Sequence, residues 1–148
     1  AYIQSSQNEK AISYLNTAIA QKPSDSQLYH ALGIVYETGI KDYAKAEETF
    51  KKALEVNPES VESMSALGRI YYNQAVNKQG EANMINDSKK YQEELTIAKD
   101  LFKQALPYFQ KAHEMKPSES EYMVALRGIY YNLNMGPELE AIEAEMNK

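Results

Sequence analysis

The sequence has no cysteine, which removes disulfides and thiolate zinc sites together and leaves the redox compartment open. It has two histidines, His30 and His113, 83 positions apart. A metal site built on both would need carboxylates brought in by folding, and two surface imidazoles are the plainer reading. Neither a G-x-G-x-x-G segment nor a Walker A loop occurs, so no glycine-rich cradle for nucleotide phosphates is present. Glu47 with Glu48, and Glu93 with Glu94, are adjacent in sequence, and adjacent side chains diverge on a helix. Such pairs read as solvated faces rather than as paired acids for catalysis. No apolar run approaches the roughly 20 residues of a membrane-spanning helix. A basic stripe is also missing: 21 acidic and 16 basic residues leave a formal net charge of −5. The charges interleave until an acidic final segment, so a face that neutralises nucleic-acid phosphates is disfavoured. The sequence therefore predicts no catalytic residues, no cofactor, no metal, no membrane insertion and no nucleic-acid partner.

What is present is a recurring amphipathic unit. The chain of 148 residues has 43% hydrophobic content, enough for about one domain with a core. Between Ser26 and Pro58, Tyr29, Leu32, Gly33 and Tyr36 share one helical face, and after a turn Ala46, Phe50 and Ala53 share another. Gly33 and Ala46 sit where two antiparallel helices would cross, and a larger side chain at either would push the axes apart. The pattern recurs. Tyr29, Leu32 and Tyr36 follow Pro23 by 6, 9 and 13 residues, Met64, Leu67 and Tyr71 follow Pro58 by the same steps, and so do Met123, Leu126 and Tyr130 after Pro117. Before each proline stands a second set: Ala11, Leu15 and Ala18, then Ala46, Phe50 and Ala53, then Ala105, Phe109 and Ala112.

At these positions the sequence resembles the tetratricopeptide repeat family, whose unit of roughly 34 residues pairs an aromatic-Leu-Gly-Tyr helix with an Ala-aromatic-Ala helix closed by proline. The resemblance implies an all-α, right-handed superhelical solenoid of antiparallel helix pairs, about three and a half repeats long, with one elongated helical hairpin. The whole of 1–148 would be one domain: a partial repeat at 1–25, a repeat at 26–60, a repeat at 61–119 carrying a helical insertion at about 73–104, and a C-terminal repeat or cap at 120–148. Tyr2 precedes Ala11 by nine residues, the family spacing from the helix-A tyrosine to the helix-B alanine. Residues 2–8 are thus expected to be a helix-A remnant and 9–22 helix B, in a fragment of a longer protein with an open apolar edge at its N-terminal end. The long insertion resembles that of some exported bacterial members, which would place the parent in a periplasm.

Local signals set the expected boundaries. Ser24 with Gln27 and Ser118 with Glu121 have capping-box spacing. Gly39 is expected to break its helix as a left-handed cap, with Asp42 capping the next. Tyr36 to Ala46 is ten steps where nine are expected, so one surplus residue lies there. Tyr71 to Ala105 is 34 steps, a surplus of 34 − 9 = 25. That surplus has helical composition, with Asn86, Asp87 and Ser88 as its turn, and predicts a hairpin projecting about 18 Å. Pro107 should bend or break the second long helix. Arg127 stands where a glycine is expected, with Gly128 beside it, and Pro137 begins a last acidic helix of the kind that ends an array.

The family resemblance implies non-catalytic binding of a protein or peptide on the concave face of the first helices. Carried over residue by residue, the candidate site is His30, Ile34, Glu37, Arg69, Tyr72, Asn73, Tyr131 and Asn132. His30 and Ile34 stand where the carboxylate-binding branch of the family has Lys and Asn, and Glu62 and Glu121 add negative charge, so a peptide C-terminal carboxylate is disfavoured. The repeated Ile-Tyr-Tyr-Asn at 70–73 and 129–132 has two readings. Tyr72, Asn73, Tyr131 and Asn132 grip an extended peptide, the amides pairing with its backbone, or the tyrosines pack against the inserted hairpin. The alternatives for the whole chain are a structural spacer, self-association through the open N-terminal edge, and an RNA-binding helical repeat, which the acidic balance opposes.

Overall fold

The computed structural model describes residues 2–148. Among the described residues there is no strand, and the helices are α1 (Tyr2–Gln21), α2 (Ser26–Ile34) with a π-helical continuation (Val35–Ile40), α3 (Tyr43–Val56), α4 (Val61–Ala82), α5 (Ser88–Met115), α6 (Ser120–Asn132) and α7 (Gly136–Met146). Two compact units, Ala1–Leu67 and Gly68–Lys148, divide the chain inside α4.

The first unit is organised on a glycine set against a phenylalanine. A Cβ placed on Gly33 would lie 2.5 Å from Cε1 of Phe50, so the absent side chain is what lets α2 lie on α3. Ala46, Phe50 and Ala53 are fully buried on the facing side of α3, the stripe that a spacing of three and four residues gives a helix. Side-chain caps set where these helices begin. Asp25 Oδ1 accepts from the Gln27 N–H at 3.0 Å and Asp42 Oδ1 from the Lys45 N–H at 3.1 Å. The first of these corrects the expected Ser24–Gln27 box: the aspartate one residue later takes the cap position.

Two other expectations fail in this unit for local reasons. No turn separates residues 2–8 from 9–22, because α1 runs unbroken from Tyr2 to Gln21. The stretch Ser5-Ser6-Gln7-Asn8 contains neither glycine nor proline to interrupt it. The idea that the chain starts within an earlier helix rests on Ala1 and the Tyr2 side chain, which lie outside the described residues. Gly39 is not left-handed either. The left-handed residue is Lys41, with φ of 63°, and its N–H and that of Asp42 both return to the Tyr36 carbonyl. The surplus residue between Tyr36 and Ala46 is accommodated by the widened π turn, in which each bond spans one more residue than in an α-helix. Gly39 serves closeness instead: a Cβ there would meet Asn8 Oδ1 of α1 at 2.7 Å.

The second unit repeats the construction at greater length. A Cβ on Gly68 would lie 2.7 Å from Cε2 of Phe109, and Ala105, Phe109 and Ala112 are again buried. The insertion is helical: α4 has 22 residues and α5 has 28. Ala75, Ala82 and Ala98 are fully buried along the elongated pair, so small residues line the seam where long helices must approach. Asp87 caps α5 by accepting from the Lys90 N–H at 3.0 Å, and Lys78 reaches across the hairpin to Glu94 at 3.2 Å. Pro107 does not break α5, which continues through it to Met115. Pro107 and Lys103, four residues before it, are both exposed, so the proline sits on the outer side of α5, while Phe102, Ala105, Phe109 and Ala112 hold the buried side on both flanks.

At the C-terminal end the Ser118–Glu121 box is not made. Glu119 occupies the α6 cap position without a side-chain bond, since the helix starts two residues after Ser118. Arg127 is exposed, and Gly128 takes the close contact in its place, with the Tyr72 hydroxyl lying where a Cβ would be. Ile142 is the buried anchor of α7, and His113 Nε2 pairs with Glu145 Oε1 at 2.9 Å.

Candidate functional site

In the first unit the three candidate residues are mostly occupied with folding. The His30 ring tilts against Phe50 at 5.5 Å, and its Nδ1 lies 3.3 Å from Ser63 Oγ, which in turn receives the Ser60 hydroxyl at 3.1 Å. That chain of polar atoms ties α2 to the first turn of α4, so His30 is a structural link rather than the surface imidazole the sequence suggested. Glu37 is 8% exposed within the π turn and engaged in an interaction of its own. Ile34 is half-buried. His113, expected at the surface as well, is largely covered, with its Nδ1 buried and without a hydrogen-bond partner.

The second unit brings more of the candidates together. Tyr72 stands edge-on to Phe102 at 5.5 Å with its hydroxyl over Gly128, which is the packing role weighed for it against peptide contact. The Asn132 amide is engaged on both sides: its Oδ1 accepts from Gln79 Nε2 at 2.6 Å, and its Nδ2 donates to the Gly128 carbonyl at 2.7 Å. Tyr72 and Asn132 thereby lock α4 to α6. Asn73 is exposed and Tyr131 is 70% exposed. Arg69 is half-buried and takes part in an interaction of its own. Gln79 is the residue that the sequence reading passed over. It falls seven residues after Tyr72, two turns along the same face, and that period is the signal that could have found it.

Residues 26–60 match the protein-family model described as Tetratricopeptide repeat. The chain contains a tetratricopeptide repeat. The matched span covers α2, the π turn and α3, so the Gly33–Phe50 contact lies inside the repeat. No curated protein matches the sequence. Tetratricopeptide repeats in general mediate protein–protein interaction and are typically non-catalytic scaffolds. No helix among the described residues is long and apolar enough to cross a membrane.

Proposed function

We propose that this tetratricopeptide-repeat chain is a non-catalytic adaptor module, and that in its second unit an extended peptide segment of a partner protein lies along α4 and α6. The observation that carries this reading is Tyr131, a large aromatic ring left 70% exposed on a helix whose neighbouring residue, Asn132, is held by two short hydrogen bonds. A flat ring on a braced backbone offers contact area at small entropy cost. Asn73, exposed on α4, adds an amide able to pair with both a peptide N–H and a C=O. His30, Ile34 and Glu37 belong to the first unit and are not assigned to this surface. Affinity capture with the protein and with Asn73→Ala/Tyr131→Ala tests it. The double variant is expected to recover at least tenfold less of the partner, about 1.4 kcal/mol, while equal recovery removes the assignment.

A second reading, self-association, is favoured by α1. Ile3 and Tyr14 are each 73% exposed there, on a helix that carries few charges, Glu9 and Lys10 among them. Light scattering over a hundredfold range of concentration is expected to show a rise in mass that Tyr14→Lys suppresses; a constant monomer mass disposes of it.

A further inference from the structure

The insertion that lengthens α4 also changes what the second unit can recognise. Tyr72 and Gln79 on α4 meet Gly128 and Asn132 on α6. Val76 lies between Tyr72 and Gln79, about one turn from each and on the same side of the helix. On α6, Val124 and Tyr131 lie one turn before and one turn after Gly128, on the side that borders this contact. The three are 44%, 47% and 70% exposed respectively, an uncovered apolar set spanning two helices whose register the Tyr72 and Asn132 contacts hold.

The charges nearby decide what the set can accept. Lys78 is bound to Glu81 and Glu94, each at 3.2 Å, and these carboxylates, Glu81 first, hold its ammonium above the usual lysine value. Arg69 is engaged within the protein. Arg127 precedes Gly128 by one residue and so lies about 100° round the helix from it. An anionic group arriving at the set therefore meets Lys78 and Arg69 already engaged with other groups and Arg127 turned away round the helix, whereas an apolar group meets three uncovered side chains.

We infer that Val76, Val124 and Tyr131 form a slot for an uncharged, apolar side chain in the middle of a partner's peptide segment, with Asn73 beside it for the main chain. Val76 belongs to the inserted stretch, so the insertion completes the slot. The inference rests on the peptide-binding reading and deepens it by naming the chemistry of the segment.

The test is selection of the full chain against a displayed library of random dodecapeptides, followed by binding of the selected peptides, made synthetically, to the protein and to Val76→Asp. Val76 is partly exposed, and circular dichroism checks that the variant keeps its helices. The expected result is enrichment of an internal aliphatic or aromatic residue, binding unaffected by amidation of the peptide C-terminus, and at least tenfold weaker binding to Val76→Asp. Selected peptides that require a free carboxylate or an acidic side chain, or that bind Val76→Asp undiminished yet lose affinity to Tyr131→Ala, would overturn the slot and leave peptide binding standing. No enrichment, or equal binding to every variant including Asn73→Ala/Tyr131→Ala, overturns both.

Discussion

Gly33→Val is expected to destabilise the protein by about 3 kcal/mol, a large part of the 5–15 kcal/mol by which a folded domain ordinarily outlasts its unfolded chain. The reason is positional. Even a single methyl at residue 33 would sit 2.5 to 2.8 Å from three ring atoms of Phe50, and Phe50 is fully buried, so its ring has nowhere to retreat without moving α3. The gain in helix propensity on losing a glycine, below about 1 kcal/mol, is smaller than that overpacking. Urea unfolding should show a lower midpoint with an unchanged slope. The pair Gly33→Val with Phe50→Leu separates the contact from general damage, because shortening the ring makes room. The double variant should be less destabilised than the sum of the single ones by about 1–2 kcal/mol. Strict additivity would show that the glycine is there for another reason.

Pro107→Ala should act in the opposite direction and raise stability by about 2 kcal/mol. Proline inside a helix costs about 3 kcal/mol relative to alanine, and the more flexible unfolded chain of the variant returns up to about 1 kcal/mol of that. Alanine restores an N–H able to reach the Lys103 carbonyl, and because position 107 is exposed it leaves no cavity. The measurement is again the urea midpoint, now shifted upward. A variant no more stable than the parent would mean that α5 is already bent around the proline so that the new donor has no carbonyl within reach.

Much of the fold was legible because the constraint is steric and periodic. The repeating small and aromatic positions placed Gly33 and Ala46 at the helix crossing before any coordinates existed, whereas the rings that fill the contact, Phe50 on Gly33 and Phe109 on Gly68, came from the structure. The elongated hairpin was legible for a similar reason: a surplus of 25 residues carried helical composition with Asn86-Asp87-Ser88 in its middle. The failures lie where neighbouring residues compete for one role. Asp25 outdid Ser24 at a cap, and Lys41 rather than Gly39 took the left-handed position. The candidate site was legible only in part. Periodicity puts Tyr72 and Asn132 toward the neighbouring helix and the groove alike, and which of the two they meet depends on Gln79 and Phe102, partners far away in the chain.

The π turn at Val35–Ile40 has a wider bearing. It keeps an additional residue within the rod, so the Ala46, Phe50 and Ala53 stripe still arrives opposite Gly33. The wider turn thus absorbs a surplus residue without loosening the joint between α2 and α3, where Phe50 still meets Gly33.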